Sequence, residues 1–307
     1  MRLSRLFVAI AITLGAQPLA RAFEGFTPTE ALGMGRASRA WAVGDAGPLL
    51  NPSGMTLLKA YTLEGTYGYG TRLSDQYMHA SVVDNTSSYN LAGGLYYTYH
   101  SQDPSGGMSG HGHEAGLSLA FPFGNYVAIG ATLKYFNLAG SDVFNDHDGG
   151  VTFDLGVTAR PIPVLSIGLA GSNLRSLQNS QATQSLGYGV AVLPVPGLVL
   201  AADGQTRFTA DNVTGRKGTS AMGGASYTLA ARVGIRAGGG YDAVTRAGYA
   251  TFGLSAISDI GALDGGVRQD LSHGDGGSRE TVVGISLRLF IPASQTNQDP
   301  SAFVNGQ

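Results

Sequence analysis

The stretch Val127–Tyr135, VAIGATLKY, alternates without a break: Val127, Ile129, Ala131, Leu133 and Tyr135 fall on one side of an extended chain, and Ala128, Gly130, Thr132 and Lys134 on the other. Successive side chains of a strand point to opposite faces, so this is a strand with one apolar face and one face of small or polar groups. Outward from it the pattern repeats. Val151, Phe153, Leu155 and Val157 oppose Thr152, Asp154, Gly156 and Thr158, and Val283, Ile285, Leu287 and Leu289 oppose Gly284, Ser286 and Arg288. Further segments of this kind are Thr62–Tyr69, Tyr77–Val83, Tyr89–Tyr99, Ala115–Phe121, Leu165–Gly171, Leu186–Val192, Leu198–Phe208, Thr219–Leu229, Arg232–Gly238, Gly248–Ala256 and Ile260–Gln269. Together they predict about fourteen strands, an all-β chain.

The connections alternate in length. Short ones (Pro122–Asn125, Arg160–Pro163, Pro194–Gly197, Thr228–Ala231, Ala256–Asp259) interleave with longer polar ones (Ser101–Gly112, Asn137–Gly149, Ser172–Thr183, Thr209–Lys217, Tyr241–Ala247, Leu271–Arg279). Tight turns at one end and loops at the other, with strands of about ten residues, predict a closed antiparallel transmembrane β-barrel of the bacterial outer membrane. Closure satisfies every backbone group in lipid and leaves no open edge. Both termini would then be periplasmic. Tyr67, Tyr69, Tyr97, Tyr99 and Tyr135 fall at loop-side strand ends, and Phe121, Phe123, Tyr126 and Phe290 at turn-side ends, as two interfacial girdles. The competing architecture is a secreted β-sandwich, which also alternates but has no reason to sort its loops by length.

Composition agrees. With 43% hydrophobic residues recurring at a period the chain is not disordered, and 47 glycines make it a poor helix former. Arg2 and Arg5, the apolar run Leu6–Ala16 and Ala20-Arg21-Ala22 predict a cleaved export signal over residues 1–22. That run is shorter than the roughly 20 residues of a membrane-spanning helix. The whole chain has 19 basic and 21 acidic residues, and loss of Arg2, Arg5 and Arg21 makes the rest more acidic still, which argues against nucleic acid as a partner. With no cysteine there is no disulfide framework and no thiolate metal site.

Residues 23–58 remain outside the strand series, and within them Asp45–Met55 reads DAGPLLNPSGM. Asn-Pro-Ser-Gly is strong turn chemistry, because Pro52 fixes its own φ and biases Asn51 away from helix. Gly33-Met34-Gly35, the small residues Ala37–Val43, Asp45 and Asn51-Pro52-Ser53-Gly54 together resemble the N-terminal signature of the FadL (long-chain fatty acid transporter) superfamily and its PorV/PorQ-type relatives. The resemblance implies that residues 23–58 fold into the lumen as a plug, with Leu49, Leu50 and Met55 against the wall, ahead of a barrel over 59–290 and a polar periplasmic tail over 291–307. The alternative is a loose periplasmic leader. A dinucleotide site at Gly33-Met34-Gly35 lacks the preceding strand and the third glycine.

Parity places Glu64, Lys134, Asp154, Asp203, Arg232, Arg236, Asp264, Arg268 and Arg288 in the lumen. Charges in a narrow interior are expected to pair and to clamp the plug. A second possibility is that Arg232 and Arg236, with Arg288 and Lys134, hold a ligand carboxylate through forked contacts. Gly93-Gly94 interrupts the third strand, and the resemblance implies a kink there that opens a lateral gate. His111, His113 and Glu114, and Asp142, Asn145, Asp146 and Asp148, have ligand chemistry, but the second set lacks the glycine and closing glutamate of a calcium loop; no metal and no cofactor is expected. His79, His100 and His273 are scattered, and without a Gly-x-Ser-x-Gly elbow no enzyme is expected. The expected function is passive uptake of small, fatty-acid-like hydrophobic compounds from outside to the periplasm by plug rearrangement or a lateral opening, with outer-membrane lipid and a hydrophobic small molecule as expected partners. The alternative is a PorV-like accessory docked on a protein-secretion machine, favoured by the compact loops and polar tail.

Overall fold

In the computed structural model, residues 26–71, 74–88, 90–102, 110–140, 149–177, 182–208, 217–272 and 279–291 are described. The expected export signal, residues 23–25 of the expected plug, residues 292–307 of the tail, Asp142–Asp148 and His273 lie outside them.

Fourteen antiparallel strands pair each with the next, and the first with the last, into a closed barrel. They are β1 (Tyr61–Gly70), β2 (Asp75–Asp84), β3 (Ala92–Gln102), β4 (Gly110–Phe123), β5 (Val127–Gly140), β6 (Gly150–Ile162), β7 (Leu165–Ser172), β8 (Ser185–Val195), β9 (Leu198–Arg207), β10 (Gly218–Leu229), β11 (Val233–Asp242), β12 (Ala247–Ile257), β13 (Gly261–Asp270) and β14 (Thr281–Phe290). Each segment predicted from alternation is one of them. Closure joins β1 to β14 in a register that sets Glu64 opposite Arg288. Every strand carries large apolar side chains exposed outward, among them Leu63, Met78, Leu95, Leu133, Leu155, Ile167, Leu200, Leu254 and Leu287. A soluble protein does not display an apolar surface of that extent, so the exterior is a lipid-facing belt. The sandwich alternative is excluded by closure.

The loop sorting holds with exceptions. The loop-side connections 71–74 and 243–246 are as short as turns, and the turn-side connection 85–91 is longer than its neighbours. Its length has a cause: Asn85 donates from its side chain to the Leu58 carbonyl (2.9 Å) and from its backbone to Ala60 (2.9 Å), pinning the connection beneath the chain that enters β1. His111 and His113 belong to β4 and not to a loop. His113 meets Tyr97 and Tyr99, while Glu114, on the opposite face, accepts from Tyr96 in the lumen at 2.5 Å. Two faces of one strand do not form one metal site, and no group of three metal-ligating residues occurs among the described residues.

Phe290 corrects the girdle assignment. It has lumen parity and borders a turn-side cavity, whereas Phe121, Phe123 and Tyr126 are exposed outward as expected.

Candidate functional site: the lumenal segment and the cavity beneath it

Residues 26–58 lie inside the barrel. Short helices at Thr29–Gly33 and Ala46–Leu50, and 3-10 turns at Arg39–Trp41 and Pro52–Thr56, succeed one another because glycine and proline punctuate every few residues. Thr29–Gly33 packs on β11–β14, Arg39–Trp41 on β7–β9, and Pro52–Thr56 on β3–β6.

Asn51 sits where one helix ends and Pro52 begins the next turn, with extended backbone as its proline neighbour requires. It is fully buried. Its amide donates to the Arg39 carbonyl (2.8 Å) and to Thr158 Oγ1 (3.1 Å), and its Oδ1 accepts from the Ser53 hydroxyl (2.7 Å). Ser53 Oγ in turn shares a hydrogen with Thr158 Oγ1 at 2.7 Å. The wall here is built of glycine. A Cβ on Gly130 would lie 2.5 Å from the Ser53 nitrogen, and one on Gly156 would overlap Asn51 Oδ1. Met55 is buried against Val83, Ala92 and Ala120, while Leu49 and Leu50 are only partly buried.

Gly33-Met34-Gly35 is a second fixture. Gly35 has φ +65°, open to glycine at little cost, and its N–H donates to Thr251 Oγ1 (2.9 Å), which itself donates to the Gly33 carbonyl (3.0 Å). The Gly35 carbonyl accepts from Tyr249 (3.0 Å), and Met34 packs with Ala37, Ala40, Ala191, Ala201 and Met222. Between the fixtures Asp203 of β9 accepts from the backbone N–H groups of Ser38 (2.9 Å) and Arg39 (2.8 Å), and pairs with the Arg39 guanidinium (3.3 Å). Sequence reasoning singled out neither Arg39 nor Glu30, since no local pattern reports a pairing across more than a hundred residues.

The candidate cations part company. Arg236 pairs with Glu30 and with Asp264 (3.2 Å). Arg288 pairs with Glu64 (2.8 Å), Glu30 (3.0 Å) and, at 3.7 Å, Asp264. Lys134 stands apart, paired with Asp154 at 2.7 Å and bonded to Asn173 at 3.3 Å. Arg232 is a correction: it lies not in the lumen but on the turn between β10 and β11, its side chain 56% exposed and paired with Asp259 at 3.0 Å. Ala230 and Ala231, both at positive φ, reverse the chain there and break the parity count. Burial acts to raise the Glu30 carboxyl, and the Arg288 and Arg236 guanidiniums overcome it, holding it down at about 2. Burial and the neighbouring Glu64 push the Asp45 carboxyl well above its ordinary range.

Gly93 and Gly94 do not interrupt the pairing of β3. Its ladders to β2 and β4 run through the pair without a register shift. Gly94 instead admits the lumenal segment, since a Cβ there would lie 3.0 Å from both Pro48 and Met55.

Beneath the segment, among the turns, lies a cavity of about 1070 Å³. Trp41, Val43, Leu57, Leu58, Val199 and Phe290 border it, and Glu30, Arg236, Asp264 and Arg288 stand at its inner end.

Closed barrel, lipid-facing belt and lumenal N-terminal segment define an outer-membrane-type β-barrel. No family model matches the chain, and no curated protein matches its sequence. Its fold is similar to the CymD monoaromatic hydrocarbon channel (TM-score 0.66, 14% identity, 86% of this chain and 99% of that one). It is also similar to the toluene transporter TbuX of Ralstonia pickettii (0.63, 14% identity, 88% and 99%) and to a FadL homologue of Pseudomonas aeruginosa (0.62, 11% identity, 88% and 99%). These likenesses show a shared barrel fold.

Proposed function

We propose that this protein is an outer-membrane channel for the passive passage of small hydrophobic compounds into the periplasm, with residues 26–58 as its plug and its turns on the periplasmic side. The observation that carries the reading is the lumenal segment itself, fixed to the wall by polar contacts and underlain by an apolar cavity. A barrel needed only as a docking platform has no use for such a chamber. The fold shared with hydrocarbon channels and toluene transporters supports it. The docking role on a secretion machine rests on the sequence resemblance, the compact loops and the polar tail, and no structural relative supports it.

Uptake of radiolabelled toluene by a host strain lacking hydrocarbon channels tests the reading. Expression of this protein is expected to raise the initial rate, and a rate equal to that of the empty host would overturn it.

A further inference from the structure

The walls of the turn-side cavity are mostly apolar, with Ser226 and Thr228 among them and the Arg232–Asp259 pair at the rim, and its inner end is ionic. Two guanidiniums, Arg236 and Arg288, face three carboxyl groups, Glu30, Glu64 and Asp264, and Asp45 stands beside them. Among the groups at that end the Glu30 side chain is the most open at 18%, against 7% for Arg236, 10% for Arg288 and 1% for Asp264. The charge nearest an entering molecule is therefore negative, and Glu30 stays ionised throughout the physiological range.

A ligand carboxylate would have to displace Glu30 from both arginines. That exchange leaves a buried carboxylate without its partner, which costs more than a second anion regains. An uncharged hydrocarbon meets no such opposition and gains from every apolar wall it covers. Volumes of about 300–1,000 Å³ are those of small-molecule sites, so the chamber admits a whole ligand. At the turn-side rim, far from this inner end, Arg232 is paired with Asp259 (3.0 Å), and Arg160 donates to the Pro163 carbonyl (3.0 Å) and lies over the Trp41 ring.

We propose that the turn-side cavity is a binding chamber for uncharged hydrocarbons, and that the carboxylate-rich cluster at its inner end turns organic anions, fatty acids included, away. This deepens the channel reading and takes its physiological meaning from it. Arg236 and Arg288 accordingly hold the plug and not a ligand.

The chain contains a single tryptophan, Trp41, and it borders the chamber. Its fluorescence, with the protein in lipid nanodiscs at pH 7.5, reports occupancy by short-range heavy-atom quenchers. The barrel wall shields Trp41 from quencher dissolved in the lipid. Saturable quenching by 4-bromotoluene is expected, and Val199→Phe, which narrows the chamber, should weaken it about tenfold. The anion 4-bromobenzoate should bind at least about tenfold more weakly than the equally sized, uncharged 4-bromobenzyl alcohol, and Glu30→Gln should narrow that gap. Equal binding of anion and alcohol would overturn the exclusion of anions. Quenching that does not saturate, or is unchanged in Val199→Phe, would overturn the chamber. Saturable quenching without toluene uptake would leave the chamber standing and remove the channel; uptake without saturable quenching would do the reverse.

Discussion

Around Asn51 the lumenal segment meets the wall through neutral groups packed against bare glycine backbone, whereas around Glu30 it meets the wall through ions. Asn51, Ser53 and Thr158 satisfy one another, and none of their polar atoms is left without a hydrogen bond. At the ionic end Glu64 Oε1 and both Asp45 oxygens are buried without a hydrogen-bond partner among the described residues. The difference separates two tasks. Neutral hydrogen bonds and close packing fix a position with no pH dependence, while an ionic contact holds strongly in one protonation state and loosens in another. Glu30, Arg236, Asp264 and Arg288 border the cavity, whereas Asn51, Ser53 and Thr158 do not, so the adjustable contact lies where a ligand arrives.

The comparison breaks most visibly at Arg288. Arg288→Met strands Glu64 and weakens the hold on Glu30, and removing one partner of a buried pair costs about 3–5 kcal/mol. The unfolding midpoint in urea should fall accordingly, and the double variant Arg288→Met/Glu64→Leu should recover part of the loss. A single variant as stable as the parent would mean that the ionic end does not hold the segment.

At the neutral end the expected losses are smaller. Gly156→Ala places a methyl group against Asn51 and Pro52, and overpacking of this kind costs about 1–3 kcal/mol. The segment should become accessible to protease added from the turn side, and unchanged protection would show that the wall gives way without strain. Asn51→Ala abandons the Arg39 carbonyl and Thr158, an effect of about 1–2 kcal/mol, and should raise leakage of bulky antibiotics through the outer membrane. Leakage equal to the parent's would remove Asn51 from the seal.

How much of this was legible follows from what each face has to do. The outer face must be apolar at every second residue over the thickness of the bilayer, so even isolated runs such as Val283–Leu289 declare themselves strands. Asn51-Pro52-Ser53-Gly54 was legible as a turn because its chemistry is local. The lumen was legible only as parity. That Glu64 faces Arg288 depends on which strands close the barrel, and that Glu30 meets Arg236 depends on a contact across 206 positions. Arg232 was misplaced because counting by twos assumes the strand has already begun, and the left-handed pair Ala230-Ala231 delays it. Gly94 marks a close approach, by the Pro48 and Met55 side chains of the lumenal segment, while the ladders of β3 run through it without a register shift.

The smallest expected effect is the one that separates the two ends most cleanly, since only the ionic end responds to acid and alkali. Glu30 has its carboxyl lowered from 4.5 to about 2, so the stability it contributes is complete above the ordinary carboxylate range and is lost as pH falls toward 2. Asp45 is shifted the other way, so its contribution is complete below about 3.8 and is lost as pH rises through its elevated value. Carried on one segment, the two give its attachment an acid limb and an alkaline limb. Trp41 fluorescence followed against pH should show both. Glu30→Gln should flatten the acid limb alone and Asp45→Asn the alkaline limb alone, while Asn51→Ala should lower the profile without changing its shape. An acid limb that survives Glu30→Gln would assign the response to the barrel's other carboxylates. The segment would then be held in the same way at both ends, and the distinction between fixed and adjustable contact would fall.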